Sequence, residues 1–481
     1  MTRRGFSNGL LVAAILVLIA GTTADPDLWG HLRFGQDMIL ARTLTVADVY
    51  SFTTDRPWVN HEWLSEMAMA AVYGQAGPTG LNLLRIVLLL SVLALAWTCM
   101  AGVASDRRVL LVGAGAVGML WRAYPVRPQV FSLFFFAIVL KAIEVADRRR
   151  SMRPLLLVPV VMALWVNAHG GWIVGLAMFG LWSAMTAITA SWRDRLTLAA
   201  IGAASLAATL ANPHGYEMWR FLWNTVGLER PMIADWQPLF RLPWNFWTPW
   251  IAALGIVIFG VLRGRGHAKS LAMAAVLGLM AIRVSRLDAF FAIAAMFFAA
   301  RALAEASTPF LTPASPGRPS RTLAWAFAAV LVAAVLLLIP RLTTVPVAPA
   351  TVPDAHVAAY VRAQHPKGTV LVWFDWGQYV IWHFGPDLKV SMDGRRETVY
   401  SQETIDAHLR FYAGQPGGLH YAGTLAPDYI WIPSALPVVQ ELLQNGWRAA
   451  CSGPASVWLT RRDTVPCDAH ASPPVRLFPG L

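Results

Sequence analysis

Long runs of apolar residues, broken by short polar stretches, fill the first 345 positions of the chain. A hydrocarbon core of roughly 30 Å takes about 20 apolar residues per helix. On that criterion the chain makes about eleven crossings, beginning near residues 7, 82, 108, 129, 154, 171, 196, 247, 268, 286 and 322. Those near 108, 154 and 268 are short and interrupted by Gly, Pro or Arg. From residue 346 the pattern changes. The stretches "GTVLVWFDW", "LKVSMDG", "PDYIWIPS" and "ASVWLTRR" read as short β-strands, while "TIDAHLRFYAG" and "LPVVQELLQN" have helical spacing. Strands alternating with helices predict a small α/β domain with a largely parallel sheet. The expected fold class is an all-α polytopic membrane bundle over 1–345, with a first outer loop at 24–80, followed by a small extracytoplasmic α/β domain over 346–481. The proline-rich "PRLTTVPVAPATVP" serves as a semi-rigid tether between them.

Composition agrees: 56% of the 481 residues are hydrophobic and 14% charged, with a mean hydropathy of +0.50, too apolar for a soluble globular chain. The net charge of +12 then has a topological meaning. With the N-terminus cytoplasmic, "MTRR", "SDRR", "DRRRSMR", "SWRDR", "RGRGHAK" and "PGRPSRT" all fall on the inner side, each carrying at least two Lys or Arg. The basic balance is therefore not read as nucleic-acid binding. The expected location is a bacterial inner membrane, multi-pass, with the bilayer as partner and the C-terminal domain outside. The first apolar run, ending in "GTTA", also has the form of a secretory signal. Of three cysteines, Cys99 lies in a membrane helix, and Cys451 and Cys467 lie outside, either disulfide-bonded or unpaired.

This topology throws the remaining polar clusters onto the opposite face. In "DPDLWGHLR", Asp25 and Asp27 can hold a divalent cation, Mg or Mn, against a phosphate group. Asp27 can equally be the N-cap of the helix that follows. His31 and Arg33 come four and six residues later, and on a helix Asp27 and His31 share a face. In "VNHEWLSE", His61 and Glu62 precede an amphipathic segment that suits the membrane surface. Arg122, Arg127, Arg283 and Arg286 stand at the outer ends of membrane helices, able to grip a phosphate or to snorkel to headgroups. His169 and His214 sit in outer turns. Asp375 follows a strand directly, where side chains emerge at the carboxyl edge of a parallel sheet. Asp393 and Arg395 follow the next strand, lining the same edge or closing a turn salt bridge.

"DLWGHLR" resembles the first outer loop of oligosaccharyltransferase catalytic subunits, which belong to the GT-C superfamily of polytopic glycosyltransferases. "VWFDWGQYV" looks like the acceptor motif W-W-D-Y-G of their soluble domains, with Phe374 and Trp376 departing from the expected residues and weakening any case for a peptide acceptor. The resemblance implies transfer of a sugar from a polyprenyl-phosphate-linked donor to an extracytoplasmic glycan, lipid or protein acceptor by an inverting displacement. Asp27, Asp25 and Glu62 would be the catalytic carboxylates, with the metal on Asp25 and Asp27. His31, Arg33, His61, Arg122, Arg127, Arg283, Arg286 and Asp375 would bind substrate. Two other readings stay open: a transporter or flippase with an outer sensing domain, and a non-catalytic scaffold for envelope assembly. Few ionisable residues lie at mid-membrane depth, which weighs against a transport path.

Overall fold

The computed structural model describes residues 2–44, 47–225, 227–228, 230, 233–264, 267–306, 320–463, 465–467 and 476–480. They form two compact units: Met1–Thr22 with Thr79–Thr343, and Thr23–Pro78 with Thr344–Leu481. In chain order the helices are α1 (Arg3–Ala20), α2 (Leu28–Ala41), α3 (Trp63–Trp97), α4 (Ser105–Ala123), α5 (Gln129–Arg149), α6 (Leu157–Trp165), α7 (Trp172–Thr189), α8 (Trp192–Ala208) and α9 (Glu217–Thr225). They continue as α10 (Thr248–Arg263), α11 (Ala268–Arg283), α12 (Asp288–Ala306), α13 (Arg321–Thr343), α14 (Ala355–Ala363), α15 (Gly377–Phe384), α16 (Gln402–Tyr412), α17 (Gly418–Leu425) and α18 (Val438–Gln444). Helix α3 is interrupted at Gly77, where φ is 56°, followed by Pro78. Positive φ is open to glycine and the proline supplies no amide, so the ladder breaks there. The residues on either side belong to different units.

In the first unit a helix stands at every one of the expected crossings. Seven helical segments among the described residues are long and apolar enough to cross a membrane by length and composition. Those near 108, 154, 196 and 268 fall short of that measure, three of them being the interrupted ones. The chain is a multi-pass membrane protein. Buried cations pin the helix ends. Arg85 of α3 donates from Nη1 to the Ala123 carbonyl at 2.7 Å, and from Nη2 to those of Ile19 at 2.6 Å and Gly21 at 2.7 Å. One guanidinium thus satisfies C-terminal carbonyls of both α1 and α4, where the helix dipoles are negative. Asn82 does the same for α13 through the carbonyls of Arg341 and Leu342. At the other end of the bundle Asp147 accepts from Arg301 Nη1 at 2.7 Å, Trp182 Nε1 at 3.2 Å and Lys269 Nζ at 3.3 Å, tying α5, α12, α7 and α11 together.

In the second unit the strands are β1 (Gly368–Val372), β2 (Leu388–Val390), β3 (Tyr429–Pro433), β4 (Arg448–Ser452) and β5 (Ser456–Thr460), ordered β2-β1-β3-β5-β4. β1 pairs parallel with β2 and β3, but β5 runs antiparallel to both β3 and β4. The sheet is therefore mixed rather than largely parallel, because β4 and β5 form a hairpin too short for a crossover helix. Helices α16 and α18 cover one face with Phe411, Val438 and Leu442 against Leu371, Ile430 and Leu459. Cys451 and Cys467 form a disulfide. The loop from 23 to 78 is an integral part of this unit. Ser51 bridges to Val390 beside β2, and Thr53 donates to the Ser391 carbonyl.

Helices α2 and α3 meet backbone to backbone at Gly35, where an added Cβ would lie 2.2 Å from the Glu66 carbonyl oxygen. A main-chain atom cannot swing aside. Gly35→Ala is expected to cost about 1–3 kcal/mol as an overpacked contact, read as a lower melting temperature of the purified full chain in detergent. An unchanged midpoint would show that the two helices separate freely.

Candidate active site

The second unit brings three of the candidate carboxylates together. β1 ends at Val372, a single 3₁₀ turn over Phe374–Trp376 follows, and α15 starts at Gly377. Asp375 therefore emerges at the carboxyl edge of the parallel pair, where open α/β sheets hold their ligands. β2 ends at the same edge, and its continuation packs so closely that a Cβ on Gly377 would lie 2.2 Å from the Met392 carbonyl oxygen and 2.7 Å from Asp393 Cβ. The next residue, Gly394, receives Asp27: a Cβ there would stand 1.7 Å from Asp27 Oδ1. Only a residue without a side chain lets the Asp27 carboxylate lie against this loop.

Asp27 does occupy the N-cap position of α2, yet its side chain makes no capping hydrogen bond. Capping is not what its carboxylate does. Asp25 Oδ1 accepts from the Asp27 amide at 3.1 Å, which holds the two acids in one turn. Asp375 has its pKa raised, first by burial and then by the negative charge of Asp25, against a hydrogen bond from the Trp373 side chain. The charge of Asp25 thus discourages ionisation of Asp375. Asp25 is buried, while Asp27 and Asp375 remain partly open to solvent.

A second cluster adjoins Asp27 along α2. His31 Nδ1 lies 3.0 Å from Glu66 Oε1 and 3.8 Å from Glu62 Oε2. Burial alone would lower the His31 pKa. The hydrogen bond that His31 donates to Glu66 and the charges of Glu62, Glu66 and Asp27 outweigh it and push it up to about 9. Asn60 orders the acids, donating to Glu66 Oε2 at 2.7 Å and accepting from the Glu62 amide at 3.0 Å. His61 stands beside them, its Nε2 3.6 Å from Glu62 Oε1. Arg33 does not join this group. Two residues along a helix point to different faces, and Arg33 instead donates to Asp37 Oδ2 at 2.9 Å.

In the first unit the arginines meet acids that the sequence reading passed over. Arg122 is buried and pairs with Asp235 and, through Nε at 3.2 Å, with Asp288, while Arg127 reaches Asp235 Oδ2 at 2.9 Å. Snorkelling to headgroups is thus wrong for Arg122. Arg286 and Arg230 lie over the Trp236 ring, at 4.5 and 4.0 Å from its centroid. Burial would raise the Asp235 pKa, but Arg127, Arg122 and Arg286 together lower it. Arg122, Arg127 and Arg286 thus act together on Asp235, and Arg122 also holds Asp288. Arg283 is exposed at the end of α11.

For a metal, donor geometry decides. Among the described residues, His31, Glu62 and Glu66 form a group of three whose ligand atoms all lie within 4.8 Å of one another and could hold a metal ion. Glu66, Asn60, Asp235, Asp288 and Gly394 escaped the sequence reading. Glu66 had a signal, since it follows Glu62 by four residues within "NHEWLSE" and shares its helix face. The two bundle aspartates had one as well, because a buried arginine in a membrane protein needs a counter-charge.

The fold is a multi-pass helical bundle with a mixed α/β unit, and it is shared with a solved membrane protein. ArnT from Cupriavidus metallidurans, solved bound to undecaprenyl phosphate, is similar over 95% of this chain and 97% of its own, with a TM-score of 0.55 and 14% identity. Its apo state matches over 94% and 97%, with a TM-score of 0.51 and 15% identity. No family model and no curated protein matches the sequence.

Proposed function

We propose that this chain is a membrane glycosyltransferase that moves a sugar from a polyprenyl-phosphate-linked donor to an extracytoplasmic hydroxyl acceptor by an inverting displacement. The convergence of Asp25, Asp27 and Asp375 in one unit carries the reading, since Asp375 lies some 350 positions beyond the other two in sequence. Such transfer needs a carboxylate to take the acceptor proton while the sugar leaves its phosphate. Asp27 is that base. Asp375, held with a raised pKa, binds the acceptor hydroxyl, and Asp25 keeps both in place. The likeness in fold to a protein seen with undecaprenyl phosphate supports the donor class. The leaving phosphate develops negative charge, and fixed guanidinium groups answer it without a proton. Arg286 and Arg127 of the first unit are the groups assigned that role, while the buried Arg122 braces Asp235.

The donor side has its own test. Arg286→Gln keeps a polar group over Trp236 but removes the charge, and a charge-assisted hydrogen bond contributes about 1.5–3 kcal/mol. Binding of undecaprenyl phosphate to the purified full chain is expected to weaken about 10-fold or more, with an unchanged melting temperature. Equal affinity in variant and parent would remove the phosphate role from this cluster.

A further inference from the structure

We propose that His31, Glu62 and Glu66 form a binding site for a single borderline divalent cation of the zinc class, with Asn60 as its positioning residue. The site stands on its own geometry and does not depend on the transferase reading. A four-coordinate zinc ion with bonds of about 2.0–2.1 Å spaces its ligand atoms about 3.3 Å apart. Nδ1 of His31 already stands 3.0 Å from one glutamate oxygen and 3.8 Å from the other. Small rotations of two carboxylates would close the set. The backbone supplies the placement: Glu62 and Glu66 are one helical turn apart at the start of α3, and Gly35 lets α2 approach closely enough to bring His31 over them.

The surroundings suit a ligand set rather than a bare ion pair. Asn60 holds Oε2 of Glu66, so Oε1 is turned toward His31, and such outer hydrogen bonds orient ligating carboxylates. Three protein donors leave a fourth position open, the arrangement of zinc sites that bind water or substrate. His61 Nε2, 3.6 Å from Glu62 Oε1, lies at the rim of that position. An imidazole nitrogen in the set favours zinc over magnesium, which prefers an all-oxygen octahedron. Two carboxylates beside one imidazole, with the charge of Asp27 felt at His31, also balance a dication.

The experiment is zinc binding by the purified full chain in detergent, stripped with a chelator and titrated with zinc chloride against a fluorescent competitor. One equivalent is expected to bind, with magnesium at millimolar concentration failing to displace it. Glu62→Gln, at the accessible side of the cluster, and Glu66→Gln are expected to abolish stoichiometric binding, and Asn60→Ala to weaken it about 10–100-fold. Glu62→Gln should keep the parent's melting temperature without metal, which separates ligand loss from misfolding. Absence of stoichiometric zinc binding in the parent, or undiminished affinity in Glu62→Gln and Glu66→Gln, would overturn the site and leave a buried ion pair. A chain that binds zinc through these residues but transfers no sugar would keep this inference and lose the transferase reading.

Discussion

Asp27→Asn is expected to lower sugar transfer by about 10² to 10⁴, the usual cost of removing a general base, while abundance and melting temperature stay those of the parent. The substitution keeps the size of the side chain and removes its charge. Stability should not follow, because Asp27 makes no capping hydrogen bond to lose and Asn is as good an N-cap residue as Asp. Gly394→Ala provides a second route to the same group. Its Cβ would occupy the place of Asp27 Oδ1, so the carboxylate must turn away although its charge is kept. A fall in transfer in both variants locates the chemistry at that oxygen. The readout is incorporation of label from a polyprenyl-linked sugar into envelope material by membranes carrying each variant. Full transfer in Asp27→Asn at normal protein level would leave the reading without its base.

The bundle was legible because a bilayer permits few solutions. Lacking water, each crossing must satisfy its own backbone, and an apolar helix does so within a single segment. All of the expected crossings carry helices for that reason. Strands β1, β2, β3 and β5 were legible from their short apolar runs, but β4, "RAACS", carries too little apolar pattern to announce a strand. Helix α15 was hidden because "GQYVIWHF" continues the apolar run of β1 and differs from it only in the turn at Asp375. The composition of the two units was the least legible feature. Ser51 with Val390, and Arg395 with Asp48, join positions more than 330 residues apart, and no local pattern encodes a pairing of that range. The same limit applied to the site. The positive-inside pattern led to an expectation of Asp25, Asp27 and Asp375 on one side, whereas the approach of Asp27 to Gly394 depends on a loop whose course only the fold reveals.

Arg395 carries the largest expected effect on stability. Its guanidinium reaches Asp48 Oδ1 at 2.7 Å and Asp393 Oδ2 at 2.7 Å, with Tyr400 donating to Asp393 at 2.9 Å. The rings of Phe34, Tyr50 and Trp58 surround it, with centroids at 5.0, 5.3 and 4.9 Å. The turn salt bridge between Asp393 and Arg395 is therefore real, and it is also the clasp that ties the 48–58 loop to β2. Arg395→Met fills a similar volume but strands two fully buried carboxylates, and breaking such a group by removing one partner costs about 3–5 kcal/mol. Against a total stability of about 5–15 kcal/mol, that is enough to open the second unit. Arg395→Lys keeps the charge without the two-pronged geometry and should fall between. Acid should act in the same direction. Burial would raise the Asp393 pKa, but Arg395 and Tyr400 more than compensate and hold it below the ordinary range. A depressed carboxylate contributes stability above its unfolded pKa that is lost as pH falls through the folded one. The parent should therefore lose stability on acidification, and Arg395→Met should lose less, having already lost the partner that depresses Asp393. Melting midpoints of the full chain in detergent between pH 7 and pH 3, with protease sensitivity of the 344–481 segment alongside, check both expectations. A parent-like midpoint in Arg395→Met at neutral pH would mean that the clasp is replaceable and that packing of the three rings alone holds the loop.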